Sequence, residues 1–367
     1  MKRLLCIVSG MNAGGAETFL MKVYRAIDRT KFQMDFAVNV CEKGFYDDEI
    51  ISMGGNIYHF PSKSESFVKY VKSLRKIIKE NDYNYVLRIT SNAIGFLDLA
   101  IAKYAGAKVC IARSSNSSDG NSLKAKIAHF VGQKLLKKYV DVKIAPSTDA
   151  AVYTFGKKDV DSGFVCILPN GLDLNYFKYS EDNRKVLRRK LGLEENDFVI
   201  GHVGRFNRQK NHLFLLEIFK RLRESKKNAV LMLVGSGELE PIIQKKVASY
   251  GLQKFVHFVG VRSDMPSLYS AMDVLVFPSL YEGMPNAVLE AQACGLPCIV
   301  SDTITTEVNV VGNLKFLSLK DVEIWKEKLL GNFERMNGSE IGENFYANGY
   351  DVTQTASFFE KVIEKYA

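Results

Sequence analysis

Two successive series of short apolar runs, each interleaved with helical patterns, constrain the fold of this 367-residue chain. The first series contains strand-like runs at residues 4–9, 34–40, 56–59, 85–89, 109–112, 142–145 and 164–168. The second series contains runs at residues 198–203, 229–234, 256–259, 274–276 and 297–301. Strands that alternate with helices indicate mainly parallel sheets. The sequence therefore predicts an α/β protein made of two doubly wound, Rossmann-like halves.

A turn-forming cluster, Pro169-Asn170-Gly171-Leu172-Asp173, follows the last strand of the first series. We place the domain boundary there, with a first domain at residues 1–168 and a second at residues 169–349. A further helix is predicted around residues 353–366. With 47% hydrophobic residues, the chain is able to bury two cores of ordinary domain size.

The cysteines and the apolar runs indicate a cytoplasmic protein. None of the six cysteines forms a C-x-x-C pair, and most lie in apolar stretches, which is typical of small core residues in a reducing compartment. The apolar run at residues 4–8 is too short for a signal peptide and is interpreted as the first strand. Every other apolar stretch is shorter than the roughly 18 residues that a membrane span requires.

Two glutamates stand eight positions apart in the segment Tyr-Glu-Gly-Met-Pro-Asn-Ala-Val-Leu-Glu, residues 281–290. Pro285 suits the first turn of a helix and Gly295 suits its end, so Glu282 precedes the helix and Glu290 lies inside it. The helix start offers main-chain N–H groups and a positive dipole end to an anion such as a diphosphate. Glu290 is too distant to share that anion, but it is able to accept hydrogen bonds from a ribose diol. The segment predicts a nucleotide clamp.

A second segment supplies positive charge. Residues 199–203 form an apolar strand that runs into Gly204 and Arg205, and Lys210 follows in the loop before a helix beginning near Asn211. Open parallel sheets bind ligands at the carboxyl ends of their strands. Together with the clamp, the two cations therefore predict one phosphate site.

The sequence predicts no metal ion at this site. Two cations and a helix start are able to neutralise a bound diphosphate without one. Asp159-Val160-Asp161 has the D-x-D spacing of metal-dependent sugar transferases, but it lies away from every phosphate motif and is interpreted as a charged turn.

These motifs, with Gly235-Ser236-Gly237 and the first loop Gly14-Gly15-Ala16-Glu17, resemble those of family-4 retaining glycosyltransferases of the GT-B fold. The resemblance covers nearly the whole chain. It implies two Rossmann-like domains facing across a cleft, an N-terminal one for the acceptor and a C-terminal one for the donor, with the C-terminal helix (350–367) crossing back to the first. It further implies transfer of a sugar from a nucleotide-diphosphate sugar, UDP-linked, to a polysaccharide or lipid-linked saccharide in capsule or exopolysaccharide synthesis, with no cofactor.

Site roles follow from the resemblance residue by residue. Arg205 and Lys210 are expected to hold the donor diphosphate, Glu282 to contact the transferred sugar and Glu290 to bind the ribose. Further donor contacts, partly through the main chain, are expected at Gly14, Gly15, Gly204, Gly235, Val261, Gly283, Met284, Pro285, Asn286 and Ala287. The leaving phosphate oxygen takes the acceptor's proton, so no protein nucleophile is required.

The first domain departs from the family pattern at one position. Members often place a His near the sugar, whereas the matching stretch here reads Ala-Arg-Ser-Ser-Asn, residues 112–116, so that Ser115 takes the place of that His. The candidates for hydrogen bonds to the sugar or acceptor are therefore Asn92, Ser115 and Asn116.

The net positive charge of the chain lies in its first half. Residues 1–165 contain 25 Lys and Arg against 16 Asp and Glu, a net charge of +9, whereas residues 166–367 contain 25 of each. Much of the excess falls in two clusters: Lys69, Lys72, Arg75, Lys76 and Lys79, then Lys124, Lys126, Lys134, Lys137 and Lys138. The first cluster has helical spacing and fits either anionic lipid headgroups, with the protein peripheral at the inner face of the membrane, or an ordinary solvated face. No nucleic-acid recognition motif accompanies the charge.

Two other functions fit parts of the sequence. A non-catalytic nucleotide-sugar-binding partner subunit is disfavoured by the intact Arg205, Lys210 and glutamates and slightly favoured by Ser115. A nicotinamide-dependent enzyme is disfavoured because the first loop lacks G-x-G-x-x-G and Gly235-Ser236-Gly237 lacks the later glycine. His202, in the strand before Arg205, is either a buried structural residue or a site residue.

Overall fold

The computed structural model describes residues 1–12, 14–115 and 123–366. The chain divides into two compact units, which we call the first unit (Met1–Gly171 with Gly349–Ala367) and the second unit (Leu172–Asn348). No helix in the described part of the chain is both long and apolar enough to cross a membrane.

Strands and helices alternate along the first unit. Its strands are β1 (Lys2–Val8), β2 (Phe32–Val38), β3 (Ile57–His59), β4 (Tyr85–Thr90), β5 (Val109–Ser114), β6 (Val142–Ala145) and β7 (Val165–Ile167). Its helices are α1 (Gly15–Ala26), α2 (Asp47–Ser52), α3 (Phe67–Glu80), α4 (Phe96–Ala105), α5 (Leu123–Val131), α6 (Thr148–Phe155) and α7 (Lys157–Asp161). A π-helical turn, Gly132–Leu136, continues α5, and short 3-10 turns lie at Ala93–Gly95 and Lys137–Tyr139.

The second unit repeats the scheme. Its strands are β8 (Phe198–Val203), β9 (Ala229–Val234), β10 (Val256–Gly260), β11 (Val274–Phe277), β12 (Cys298–Ser301) and β13 (Leu314–Leu317). Its helices are α8 (Glu181–Lys190), α9 (His212–Ser225), α10 (Glu240–Ser249), α11 (Met265–Ala271), α12 (Asn286–Ala293), α13 (Val322–Leu329) and α14 (Gly338–Ala347), with a 3-10 turn at Thr306–Val308. Helix α15 (Val352–Lys365) follows in the C-terminal segment of the first unit.

Both sheets are parallel and doubly wound. The strand order is β3-β2-β1-β4-β5-β6-β7 in the first unit and β10-β9-β8-β11-β12-β13 in the second. Side chains alternate across β1: Leu4 and Cys6 join one apolar cluster, whereas Leu5 and Ile7 join another. Burial on both faces explains why these strands are almost uniformly apolar. The predicted α/β class is confirmed, but the short strand β13 is not among the predicted strands.

Helix α15 packs on the first unit, as the predicted fold requires. Phe359 is buried in the same cluster as Phe19 of α1, with ring centroids 6.2 Å apart. Glu360 Oε1 accepts a hydrogen bond from the main-chain N–H of Asp28 at 2.7 Å. The predicted return of the C-terminal helix to the first domain is therefore confirmed.

Candidate functional site

The strand order of the second sheet marks where a ligand is expected. Successive strands run outward from β8 through β9 to one edge and from β11 through β12 to the other. The crevice between the carboxyl ends of β8 and β11 is therefore a topological switch point, where doubly wound sheets bind ligands. The loops that follow these strands, residues 204–211 and 278–285, carry the predicted phosphate motifs.

Glycines bring the loop backbones around this point into contact. Gly204 N–H donates to the carbonyl of Val234 at 3.0 Å, and Gly235 has φ +134°. A Cβ at Gly235 would overlap the carbonyl oxygen of Gly204, and a Cβ at Gly237 would lie 2.5 Å from the carbonyl oxygen of Phe206. Gly235 is therefore required both by its backbone angle and by the close approach of the neighbouring loop.

Lys210 and Glu282 meet where the two loops join. Lys210 Nζ lies 2.6 Å from Glu282 Oε1, and only 16% and 11% of the two side chains are exposed. The ammonium also lies 4.5 Å from the centroid of the Phe277 ring, at the end of β11. Gln209 fastens the loops together, because its carbonyl accepts from Leu280 N–H and its Nε2 donates to the carbonyl of Tyr281, both at 2.8 Å. Two of the predicted site residues are thus adjacent and shielded.

Arg205 is placed differently from Lys210. Its side chain is 72% exposed, and its guanidinium lies 3.4 Å from Glu238 Oε2. An exposed arginine of this kind is able to change rotamer at little cost, because a surface ion pair contributes about 1 kcal/mol or less. Of the two predicted phosphate-binding cations, only Lys210 contacts a predicted acidic partner.

The predicted helix start is confirmed. Pro285 immediately precedes α12, and its carbonyl accepts from the N–H groups of Val288 and Leu289 at 3.1 and 3.2 Å. Gly295 has φ +66° just after the helix. Of the predicted donor contacts, Gly283 and Met284 lie in the loop before α12, and Asn286 and Ala287 are its first two residues. Pro285 itself has no N–H. Glu282 precedes the helix and Glu290 lies within it, as predicted.

Glu290 has a buried partner that was not predicted from the sequence. The hydroxyl of Tyr269, on α11, donates to Glu290 Oε2 at 3.0 Å. Burial, and secondly the Glu290 carboxylate, raise the pKa of Tyr269 well above its ordinary value, so the phenol remains protonated and a donor. Tyr269 is fully buried, and one tyrosine in the apolar stretch of α11 looks like a core residue in the sequence.

The loop that carries Val261, a predicted donor contact, is hydrogen-bonded to the loop that begins at Gly235. Gly260, with φ +71°, accepts a hydrogen bond from Gly235 N–H at 2.9 Å through its carbonyl. Val261 follows and is exposed. Gly204, Gly235 and the residue before Val261 therefore lie next to one another at the carboxyl ends of β8, β9 and β10.

His202 is a buried structural residue. Its Nδ1 lies 2.9 Å from the carbonyl oxygen of Val276, its ring centroid lies 4.6 Å from that of His212, and neither histidine is more than 2% exposed. Burial lowers the pKa of His202 well below its ordinary value, and burial followed by nearby Lys210 lowers the pKa of His212 to about 4. The pair is therefore neutral near pH 7. His202 lies in β8, before the loop that carries Lys210, and His212 directly follows that loop.

The candidates of the first unit that the structure describes lie at the carboxyl ends of β1, β4 and β5. Gly14 and Gly15 open α1. Asn92 Oδ1 accepts from Ile94 N–H at 3.2 Å, and Ser115 N–H donates to the carbonyl of Thr90 at 2.9 Å, so these two candidates follow adjacent strands. Asn116 lies outside the described residues.

His129, which was not predicted to be a site residue, also lies near the carboxyl end of β4. The Nδ1 of His129, on α5, accepts from the main-chain N–H of Ala93 at 3.2 Å, and its ring stacks on Tyr153 with centroids 4.4 Å apart. Only the packing of α5 against the residues after β4 brings His129 to this place, which sequence spacing does not reveal.

The D-x-D segment has a structural role. Lys137 Nζ lies 2.9 Å from Asp159 Oδ1, and Lys143 Nζ lies 2.6 Å from Asp159 Oδ2. Both carboxylate oxygens are thus neutralised within the first unit. In the described ranges, no group of three or more His, Cys, Asp or Glu side chains is arranged to hold a metal ion.

Comparison with known proteins gives the family. The family model for glycosyl transferases group 1 matches residues 183–328, which include the whole site of the second unit. A Bacillus subtilis protein named as a glycosyltransferase, EpsF, is 36% identical over 364 residues, covering 96% of this chain and 94% of that one. This chain belongs to the group 1 glycosyltransferases.

Two further comparisons add to this assignment. The glycosyltransferase is 32% identical over 246 residues to an Escherichia coli UDP-Gal:alpha-D-GlcNAc-diphosphoundecaprenol alpha-1,3-galactosyltransferase, covering 64% of this chain and 62% of that one. It also aligns over its full length with the crystal structure of Anabaena HepE in complex with UDP, at a TM-score of 0.78 and 18% identity, covering 100% of both chains. HepE has also been solved with UDP-glucose, at the same TM-score. The predicted resemblance and the GT-B fold are confirmed.

Proposed function

We propose that this glycosyltransferase transfers a sugar from a UDP-sugar to a polysaccharide or lipid-linked saccharide, with retention at the anomeric carbon and without a metal ion or cofactor. The observation that carries the proposal is the shielded contact between Lys210 and Glu282, next to the start of α12 and at the switch point of the second sheet. A cation, a carboxylate and a helix start at one point suit a molecule that joins a diphosphate to a polyhydroxyl group.

The diphosphate would bind to Lys210 and to main-chain groups between Gly283 and Ala287. Charge-assisted hydrogen bonds from an ammonium are roughly twice as strong as neutral ones, and a helix start favours an anion. Arg205, at the end of β8, would exchange Glu238 for the distal or bridging oxygens. These positive groups stabilise the charge that develops on the leaving diphosphate, which is the task a metal ion performs elsewhere.

The two glutamates would bind the two ends of the donor. Glu282, held by Lys210, accepts hydrogen bonds from hydroxyls of the transferred sugar. Glu290, held by Tyr269, accepts from the ribose diol, because each carboxylate oxygen accepts more than one hydrogen bond. The backbone around Val261 would contact the base.

In the proposed reaction, the bond between the anomeric carbon and the phosphate oxygen breaks while the acceptor oxygen bonds to the same face of that carbon. The acceptor's proton passes to the leaving phosphate oxygen, and the products are the new glycoside and UDP. No protein nucleophile takes part. Asn92, Ser115 and Asn116 of the first unit are proposed to bind the sugar or the acceptor.

The relatives support the choice of donor and acceptor. The Escherichia coli relative is named for a UDP-sugar donor and for an acceptor carried on diphosphoundecaprenol, and HepE binds UDP and UDP-glucose. We therefore propose a uridine donor and an acceptor linked to a lipid diphosphate, in the synthesis of a cell-surface glycan at the cytoplasmic face of the membrane. The excess positive charge of residues 1–165 suits that location.

A second candidate is a non-catalytic subunit that binds nucleotide sugar. It is favoured by one observation, Ser115 in place of the family's histidine. Release of UDP from a UDP-sugar in the presence of a saccharide acceptor distinguishes the two, because a binding subunit would retain the nucleotide sugar unchanged.

The proposal is tested by thermal unfolding with UDP, GDP, ADP, NAD and the common UDP-sugars, each with and without EDTA. A ligand at about a hundred times its dissociation constant stabilises a fold by roughly 2.7 kcal/mol. Stabilisation by UDP or a UDP-sugar that persists in EDTA is expected. If no nucleotide sugar stabilises the protein, the proposed donor is wrong. If EDTA abolishes the stabilisation, the proposed independence of a metal ion is wrong.

A further inference from the structure

An exposed apolar stripe runs along α5 and the π-helical turn that follows it. Ile127, Phe130, Val131 and Leu135 are 57%, 60%, 37% and 62% exposed. Their spacing of three and four positions places them on one side of the helical segment. We call these four residues the α5 stripe. Contiguous apolar patches of this kind mark interaction sites more often than isolated exposed side chains do.

The opposite side of the same segment is fixed to the first unit. His129 accepts a hydrogen bond from Ala93 N–H, and Gly132 lies so close to Ala93 that a Cβ at position 132 would overlap its carbonyl oxygen. The apolar residues of the α5 stripe therefore form the outer face of a docked helix, and their exposure does not result from a helix that lacks a packing partner.

Positive charge and tyrosines surround the stripe. Lys126, Lys134 and Lys138 are exposed, and residues 123–140 contain no Asp or Glu. Lys134 Nζ lies 5.9 Å from the centroid of the Phe130 ring, so its stem runs beside the stripe. At the C-terminal end, the hydroxyls of Tyr104 and Tyr139 lie 3.0 Å apart, and Tyr104 is exposed. Apolar side chains bordered by lysines and tyrosines are typical of helices that lie in the interface of a bilayer.

We propose that the α5 stripe binds an anionic lipid bilayer, with its apolar side chains at the boundary between headgroups and acyl chains and its lysines against anionic headgroups. The charge complementarity favours a lipid surface, since an apolar stripe within an all-basic segment matches a layer that is apolar below and negative above. The inference rests on the proposed function and deepens it, because a lipid-linked acceptor is present in the same bilayer.

Helix α3 provides an internal comparison. It carries the predicted basic stripe Lys69, Lys72, Lys76 and Lys79, all exposed, and two exposed apolar residues, Phe67 and Val68, at its first turn only. It thus offers similar charge without a continuous apolar stripe. If electrostatic attraction alone bound the protein to the bilayer, α3 would contribute at least as much as α5. If apolar side chains insert into the interface, α5 is required.

The test is co-sedimentation of the full-length protein with phosphatidylcholine vesicles, with and without phosphatidylglycerol. Wild type is expected to bind only the vesicles that contain phosphatidylglycerol. The pair of substitutions Phe130→Ser and Leu135→Ser is expected to weaken that binding by at least about tenfold, because two large apolar side chains no longer insert. The matched pair Phe67→Ser and Val68→Ser on α3 is expected to change it by less than about threefold. Charge reversal at Lys126, Lys134 and Lys138 should weaken it more than reversal at Lys72, Lys76 and Lys79.

Three results would overturn the inference: no binding of wild type to the anionic vesicles, equal losses in the α3 and α5 variants, or concentration-dependent self-association that the α5 pair abolishes. The last would make the stripe an interface between copies of the chain. UDP-induced thermal stabilisation of every variant serves as the folding control. It also separates the two proposals, because absence of the UDP response in wild type contradicts the proposed donor, whereas an intact response without vesicle binding contradicts only the inference.

Discussion

Lys210 Nζ lies 2.6 Å from Glu282 Oε1, although the two residues are 72 positions apart and follow different strands. Both side chains are largely shielded from water, so the contact differs from a surface ion pair that solvent screens. Each residue holds the other in one orientation. The carboxylate proposed to bind the sugar and the cation proposed to bind the diphosphate are therefore set as a unit.

Glu282→Gln separates sugar contact from nucleotide binding. The amide retains the size of the carboxylate and a hydrogen bond to Lys210, but it loses the charge that orders sugar hydroxyls and the ammonium. We expect the Kd for UDP to remain within about threefold of wild type and kcat to fall by roughly a hundredfold, the usual effect of removing one group that acts mainly in the transition state. Isothermal titration with UDP and a UDP-release assay measure the two quantities.

Glu238→Gln is the matched control, because it removes an exposed carboxylate that contacts only Arg205 among the described ion pairs. It should leave kcat close to wild type. Equal losses of UDP affinity and kcat in Glu282→Gln would contradict the separate role proposed for Glu282.

Tyr269→Phe tests whether a buried phenol positions the ribose-binding carboxylate. When Tyr269 loses its hydroxyl, Glu290 loses the 3.0 Å hydrogen bond and the orientation that this bond imposes. A lost hydrogen bond to a charged group costs about 1.5 to 3 kcal/mol, so we expect UDP to bind about 10- to 150-fold more weakly. Glu290→Ala should weaken UDP binding further, and neither variant should weaken binding of 2′,3′-dideoxy-UDP, which has no diol for Glu290 to bind.

Tyr250→Phe is the control for this comparison. It removes another tyrosine hydroxyl that donates to a glutamate, because Tyr250, just after α10, donates to Glu217 of α9 at 2.6 Å. UDP affinity should be unchanged there. A loss for dideoxy-UDP as large as that for UDP would mean that Tyr269 supports the fold of α12 rather than ribose recognition.

Sequence patterns predict local features of this site but not its contacts. Pro285 and Gly295 bracket α12 because each has a backbone requirement that is visible in one residue, so the positions of Glu282 and Glu290 followed correctly. The partners of these glutamates depend on the pairing of β8 with β11 and on the packing of α11, neither of which leaves a periodic signal. Tyr269 in particular resembles any core aromatic residue.

The same distinction holds for the fold. Strands β8 and β9 were predicted at their observed bounds because both are long apolar runs. The missed β13 has four residues, Leu-Lys-Phe-Leu, and lies at the edge of its sheet, where a short alternating run is indistinguishable from a loop. The basic segment at α5 was recognised by charge, but its outer face was determined by Gly132 against Ala93, a tertiary contact.

Gly235→Ala is expected to damage the site through its backbone. The residue has φ +134°, and a methyl group there would overlap the carbonyl oxygen of Gly204. We expect a loss of more than about 3 kcal/mol in the free energy of unfolding, measured by urea denaturation, and a loss of UDP-induced stabilisation because the loops before Lys210 must separate.

Gly251→Ala is the comparison for position 235. Gly251 also has positive φ, +68°, but no described atom lies within 4 Å of the added methyl group. The Gly251→Ala substitution should lower the free energy of unfolding by about 1 kcal/mol, the ordinary penalty for an alanine in the left-handed conformation. Similar losses at positions 235 and 251 would mean that the approach of Gly204 does not constrain the loop.

His212 makes the free energy of unfolding depend on pH. Burial, with a smaller effect of Lys210, lowers the pKa of His212 from the ordinary 6.5 to about 4, and burial lowers that of His202 in the same direction. Above pH 6.5 the histidines are neutral in both the folded and the unfolded chain. As the pH falls from about 6.5 towards 4, the unfolded chain takes up protons that the folded chain does not, so stability decreases. At about 1.36 kcal/mol per pKa unit, His212 alone accounts for roughly 3 kcal/mol across that window.

Replacement of His212 by Gln removes this titration, and urea midpoints measured from pH 7.5 to about 4.5 report it. We expect the variant to be less stable than wild type at pH 7.5, because the ring packs against His202 and Phe206, yet to lose less stability on acidification. Parallel profiles for His212→Gln and wild type would show that the imidazole becomes protonated in the folded protein. In that case protonated His212 would place a second positive charge near Lys210, and UDP-induced stabilisation should change in the same pH range.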